Sequence, residues 1–173
     1  RPPQNRNHSR AVKQRMRSVQ NIQKITKAMK MVAASKMRVA QAATLKSRGL
    51  VRPLVRLLGD TPDADVERNL TVAVTTDKGL CGGINSAVAK YSRATVKAVA
   101  TGEGKIAEYV VVGEKGRSQL VRDSRDSIVA TVADVGKVRV TFPQAAAVAD
   151  ILLKTEFDAA RLVFNRFVSA ISL

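Results

Sequence analysis

The sequence predicts an α/β protein preceded by one long helix, and three observations carry that prediction. Apolar residues recur every three or four positions through roughly the first third of the chain, with almost no helix breaker among them. After Leu70, short β-rich runs alternate with helical stretches, which is the rhythm of a sheet built from crossover units. Charge divides at the same place. Residues 1–59 hold 15 Lys and Arg and no acid, whereas the rest of the chain is nearly balanced, within a total of 30 bases against 14 acids.

The first element is expected over about Ser9 to Leu58. Its apolar positions include Val12, Met16, Val19, Ile22, Ile25, Met29, Val32 and Met37, followed by Ala40 and Ala43. Their mean spacing is about 3.5 residues, that of a left-handed coiled coil. Ser9 is the expected N-cap. From Ser9 to Gly49 such a helix would measure roughly 60 Å, longer than a small domain is wide. Its narrow stripe requires a partner, and no second helix of matching length follows in this chain. Residues 1–59 are therefore read as a basic shaft helix, 60–69 as a linker rich in Asp and Pro, and 70–173 as a globular α/β region.

Within that region, strands are expected at Leu70–Thr75, Glu108–Gly113, Ser127–Val132 and Lys137–Phe142. Helices are expected at Ile84–Ala100, near Lys115–Arg122, and from Pro143 to about Lys154, where proline suits a first helical turn. A last strand-like run, Arg161–Ser172, is expected to break or bulge around Asn165-Arg166. The pattern implies largely parallel strands with right-handed crossovers.

Composition excludes several classes. Aromatics are 3% of the chain, with no Trp, which is too little stacking surface for a typical base reader. No apolar run reaches the roughly 18–20 residues that span a bilayer. The single cysteine, Cys81, excludes an intramolecular disulfide framework and fits a reducing compartment. The opening Arg1-Pro2-Pro3 reads as a processed or incompletely recorded N-terminus and favours an imported organelle protein. On charge alone, a basic arm that binds nucleic acid or an anionic surface is as good a reading as any.

The local motif most suggestive of chemistry is TTDKGLCGGIN, Thr75–Asn85. A glycine-rich turn between strand and helix can cradle a phosphate. This one fits neither the phosphate loop, GxxxxGK[ST], nor GxGxxG. Gly79, Gly82 and Gly83 are read instead as permitting a tight turn and close helix–sheet packing, with Cys81 a small residue in that turn and the whole turn a docking surface. The only histidine, His8, lies at the far end of the sequence, so Cys81 has no evident base and no metal set assembles. Asp77 and Lys78 are too weak a pair to make a site. No catalytic residue, no cofactor and no metal is expected.

The stretch NIQKITKAMKMVAASKM, Asn21–Met37, resembles the N-terminal helix of the gamma subunits of rotary ATP synthases. TDKGLCGGIN (Thr76–Asn85), VGEKGRSQL (Val112–Leu120) and FNRFVSAIS (Phe164–Ser172) resemble the same family, in the right order. The resemblance covers essentially the whole chain after the first ten residues. It implies a Rossmann-like domain and an N-terminal helix paired, in family members, with a C-terminal helix that is absent from this chain, which stops at Leu173. It implies a central-stalk rotor that makes no bonds itself and transmits torque. Proton flow through a membrane rotor ring would thereby drive the three catalytic sites of the head. The implied partners are the catalytic and non-catalytic head subunits, a small central-stalk subunit and the membrane ring. Lys27, Met29 and Lys30 are carried over from the family as a contact with an acidic loop of a catalytic subunit. The implied location is the matrix side of the mitochondrial inner membrane, with a bacterial or plastid membrane as the other possibilities. The rival readings are a nucleic-acid-binding protein with a basic helical arm and a small α/β enzyme using the Gly-rich turn.

Overall fold

A computed structural model describes residues 4–58, 65–79, 81–137 and 139–169. The chain divides into two units, Arg1–Pro62 and Asp63–Leu173.

The first unit is a single helix, α1 (Gln4–Leu58), of 55 residues. At 1.5 Å per residue it measures about 80 Å. It begins earlier than its sequence signals indicate: Ser9 lies inside the helix and caps nothing, because the preceding residues already have helical backbone. The helix also runs through Gly49 and Pro53, the two strongest breakers in it. Nothing crowds a Cβ built on Gly49, and a proline ring clashes chiefly with the carbonyl four residues earlier, which here belongs to that glycine. Thr26 and Thr44 donate their hydroxyls to the carbonyls of Ile22 (2.8 Å) and Ala40 (2.9 Å), so neither competes for a free backbone group. The expected stripe is present and uncovered, with Ile22, Ile25, Met29 and Val32 all exposed.

The second unit is a four-stranded sheet with three α-helices, in the order β1 (Arg68–Val74), α2 (Ile84–Val99), β2 (Ile106–Val112), α3 (Glu114–Ser124), β3 (Ile128–Val132), α4 (Phe142–Leu153) and β4 (Ala159–Val163). A single 3-10 turn, Arg125–Ser127, joins α3 to β3. The strands lie in the order β3-β2-β1-β4, and every pair is parallel. β1 sits at the centre and is buried on both faces from Asn69 to Ala73, as an inner strand covered by helices on both sides is, although Asn69 and Thr71 are polar. β3 and β4 are edges with alternating burial. Between Tyr109 and Val110 the β2–β3 register shifts, and Val129 is the extra residue on the edge strand.

One face of the sheet packs Ala73, Tyr109 and Val111 against Val88 and Ala89 of α2 and Leu120 of α3. The other packs Leu70, Val72, Val110 and Val112 against Val148 and Leu152 of α4. Two layers of helix thus enclose one sheet.

One expected strand does not form. The strand expected at Lys137–Phe142 is absent among the described residues of that stretch. Asp134 turns the chain at φ 63. Phe142 opens α4 instead, with Pro143 in its first turn, and the Gln144 carboxamide accepts from the Thr141 amide at 2.9 Å. That cap holds residues 141–144 in a helix start, and local side-chain chemistry outweighs the β-propensity of Val and Thr. The last run, Arg161–Ser172, pairs only through Val163; residues 164–169 have no regular structure, and 170–173 lie outside the described residues.

Candidate partner-contact surfaces

The residues expected to carry function fall in two places, one in each unit. On α1, Lys27, Met29 and Lys30 are all exposed. At about 100° per residue, Lys27 and Lys30 stand roughly 60° apart, whereas Met29 is about 160° round the helix from Lys27. Met29 belongs to the apolar stripe with Ile22, Ile25 and Val32, and the two lysines border and oppose it. Periodicity brings the lysines together and separates the methionine from Lys27. Neither lysine pairs with a carboxylate among the described residues.

The second place is the connection from β1 to α2. Gly79, Cys81, Gly82 and Gly83 lie in it, and Leu80 is outside the described residues. Only Gly82 has a left-handed backbone, φ 62. A Cβ added at Gly83 would meet nothing within 4 Å, and one at Gly79 only the end of the Lys115 side chain at 3.6 Å. Close helix–sheet packing is therefore not what these glycines provide. It falls to two others: added Cβ atoms on Gly113, φ 102, and on Gly116 would overlap Thr75. Both sit in VGEKGRSQL, the stretch that also carries part of the family resemblance. The signal was the spacing of two glycines across a strand-to-helix junction.

Thr75 is the centre of that junction. Its hydroxyl donates to the Val112 carbonyl at 2.8 Å and accepts from the Gly116 amide at 3.0 Å. The next two residues continue the pattern, since Thr76 O accepts from Lys115 N (3.0 Å) and Asp77 Oδ1 from Glu114 N (3.1 Å). Arg117 N is bonded to Gly113 O. All four first-turn amides of α3 are thus engaged by the protein itself.

This bears on the crevice at the carboxyl ends of the strands. A cavity of about 470 Å³ opens there, bordered by Thr75, Asp77, Lys78, Cys81, Gly113 and Asp134. Open α/β sheets bind nucleotides in such crevices, using free amides at a helix N-terminus. Here the α3 amides are occupied, and the charged lining is balanced, with Asp77 and Asp134 beside Lys78 and Lys137 and Lys137 paired to Asp134 at 3.2 Å. The first turn of α3 therefore offers no free amide to a phosphate.

The start of α2 is held differently. Thr76 N donates to Asn85 Oδ1 at 3.0 Å, while Asn85 Nδ2 donates to Thr76 Oγ1 at 2.9 Å, and Asn85 is buried. Cys81 is half-buried, with its thiol bonded to the carbonyls of Lys78 and Gly79 at 3.4 and 3.3 Å. From beyond β4, Asn165 Nδ2 reaches the Ile84 carbonyl at 3.2 Å. The unusual polar residue after the last strand thus ties that strand's exit to the helix that leaves β1. Among the described residues no three His, Cys, Asp or Glu cluster in a way that could hold a metal, and no helix is long and apolar enough to cross a membrane.

Comparison with known proteins gives the family. The family model described as ATP synthase matches residues 8–173. The chain is 50% identical over 165 residues to the mitochondrial ATP synthase subunit gamma of Ipomoea batatas, covering 95% of this chain and 50% of that protein. It is 39% identical over 181 residues to the ATP synthase gamma chain of the bacterium Dinoroseobacter shibae, covering 93% of this chain and 62% of that one. Among solved structures, the central stalk and c-ring of the Tetrahymena thermophila mitochondrial ATP synthase superposes with a TM-score of 0.67 at 32% identity, covering 86% of this chain and 68% of its counterpart. The chain spans about half the length of the first of these relatives. With all but the first four residues of α1, the Gly-rich junction and the parallel sheet inside the matched range, this chain belongs to the ATP synthase gamma-subunit family.

Proposed function

We propose that this chain is the central-stalk rotor of a proton-translocating ATP synthase, carrying torque between a membrane rotor ring and the catalytic head. The observation that supports it best is α1: an acid-free, unbroken helix of 55 residues with its apolar stripe uncovered. Such an element suits a shaft, because it is stiff along its length and presents a surface for other chains rather than for its own core. The chain makes no bonds itself in this reading; it changes the conformations of catalytic subunits that do.

Lys27 and Lys30 face an acidic loop of a catalytic subunit, where an ammonium charge tolerates sliding. Met29, on the stripe, packs against the partner helix of the shaft, a role suited to a flexible, polarizable side chain. The β1–α2 turn, from Gly79 through Cys81 to Gly82 and Gly83, faces a neighbour at the foot of the stalk. The partners are the catalytic and non-catalytic head subunits, the small central-stalk subunit and the ring. The location is the matrix side of the mitochondrial inner membrane; the bacterial relative leaves a bacterial or plastid membrane as the alternative.

A nucleic-acid binder with a basic arm accounts for the charge. It accounts for neither the family match nor the parallel α/β unit. The test is incorporation of the chain, in its natural length, into a complex depleted of its own gamma subunit. Restored proton-driven ATP synthesis supports the rotor reading. Assembly of the head without any restored coupling would overturn it.

A further inference from the structure

The entrance to β1 is held by different chemistry from its exit. Thr75 fastens the exit through a neutral hydroxyl, whereas residues 65–69 are each engaged and several of the bonds are ionic. Toward β2, the Asp65 carboxylate pairs with the Lys105 ammonium, and the Glu67 carbonyl accepts from the Ile106 amide at 2.9 Å. Toward β4, the Arg68 amide donates to Asp158 Oδ2 at 2.9 Å, while the Asp158 amide donates to the Arg68 carbonyl at 2.9 Å. The Arg68 guanidinium also pairs with Glu156. Asn69 is buried and closes the set: its Nδ2 donates to the Val66 carbonyl at 3.0 Å, and its Oδ1 accepts from Arg161 of β4.

The two arms are unequal. Asp65 is 85% exposed, so water and salt screen its pairing, and an exposed pair alone stabilises little. Its lysine is nevertheless prepared: the Lys105 side chain is 21% exposed, and its stem lies beside Gly102, φ 133, where an added Cβ would come within 3.1 Å of Cε. The Asp158 arm is the stronger, because a carboxylate there accepts from the main chain itself and the reciprocal bond fixes both residues. Both arms act where the ladders start. Arg68 opposite Ile106 is the first β1–β2 pair, and Asn69 opposite Ala159 the first β1–β4 pair.

We infer that residues 65–69 form an ionic anchor that seats the chain entering from the first unit on both neighbours of the central strand, with Asp158 and Lys105 as its positioning residues. As the place where load from the N-terminal side enters the sheet, the anchor rests on the rotor reading. A strand pulled at its first residue peels from that end, one hydrogen bond after another. Grips on both sides of that residue share the load between β2 and β4 before either ladder opens. Salt weakens the anchor and spares the Thr75 junction, since screening acts on exposed charges rather than on neutral hydrogen bonds.

The test is hydrogen exchange read by mass spectrometry, on the chain of natural length in the assembled complex. In Asp158→Ala with Lys105→Met, exchange at residues 66–70 should rise about tenfold or more, while residues 110–112 of β2 stay protected. High salt should open residues 66–70 of the unaltered chain in the same way. Asp65→Lys with Lys105→Asp should recover much of the protection lost in Lys105→Asp alone. Unchanged exchange at residues 66–70 in the double variant, or an equal rise throughout the sheet, overturns the anchor. If that variant does not fold, the unaltered chain decides, and salt-independent exchange at its entrance overturns the anchor. Proton-driven ATP synthesis should fall in the variant while hydrolysis persists; full synthesis with an opened entrance overturns the load-bearing role. An unaltered chain that does not enter the complex overturns the rotor reading, and exchange in the free chain then still decides whether residues 65–69 are held by charge.

Discussion

Gly116 donates its amide to the Thr75 hydroxyl at 3.0 Å, and a methyl group on Gly116 would overlap that same oxygen. The two residues are 41 positions apart, yet one cannot be changed without the other. This contact locks the exit of β1 onto the first turn of α3, between two layers of the sheet unit.

Gly116→Ala should destabilise the α/β unit by about 1–3 kcal/mol, because its methyl would also press on Val111 Cγ1 at 3.0 Å in a packed core. Gly79→Ala, with only a flexible lysine end nearby, should change stability by less than about 0.5 kcal/mol. Urea unfolding of the two variants side by side is the check. Equal midpoints would remove the steric account of the junction.

Gly82 is a backbone problem rather than a packing one. With φ 62 and open space around it, Gly82→Val should cost about 1–3 kcal/mol, and Gly82→Asn only a fraction of that, since Asn enters the left-handed region readily. A thermal melt in which Val and Asn behaved alike would show that the turn relaxes instead of resisting.

On the helix, Lys27→Glu with Lys30→Glu should leave helix content unchanged and, under the acidic-loop contact proposed above, reduce coupled ATP synthesis in the complex by about tenfold through like-charge repulsion. Met29→Ala should act through assembly of the shaft, because Met29 faces away from Lys27. Circular dichroism combined with synthesis and hydrolysis rates separates the two. Loss of the folded α/β unit in the charge variant would sink the contact assignment.

Tyr109 is 2% exposed, and burial pushes its phenol above the ordinary value of 10.0, against the lowering effects of a Ser124 hydrogen bond and Arg93. A raised folded value means that the stabilising contribution is complete below the unfolded value and is lost as pH climbs through the folded one. Stability should therefore hold to about pH 10 and fall beyond it. In Tyr109→Phe the alkaline fall should be shallower. Denaturant midpoints between pH 8 and 11 would reveal an unchanged slope if this is wrong.

Much of this architecture was legible in the chain. The period near 3.5 and the absence of acids marked α1, and the β-rich runs at Leu70 and Glu108 marked the buried centre of the sheet, because both signals come from local composition. Part of what escaped depended on partners distant in sequence, and part on a local competition between helix cap and strand. Gly113 and Gly116 look like ordinary loop glycines until Thr75 is placed against them. Lys137–Phe142 has the composition of a strand, but the Thr141–Gln144 cap and Pro143 begin a helix there. At the candidate contacts, Lys27, Met29 and Lys30 look contiguous on the page and diverge in angle once wound into a helix. Asn165 was conspicuous, but its bond to Ile84 could not be read from either segment alone.

The central strand has a mechanical consequence. β1 pairs in parallel with β2 along seven residues and with β4 along five, and its exit is fastened to α3 through Thr75. A pull along the strand axis would strain both ladders in shear, loading many hydrogen bonds at once, whereas peeling breaks them singly. A unit built this way yields late and abruptly under such a pull.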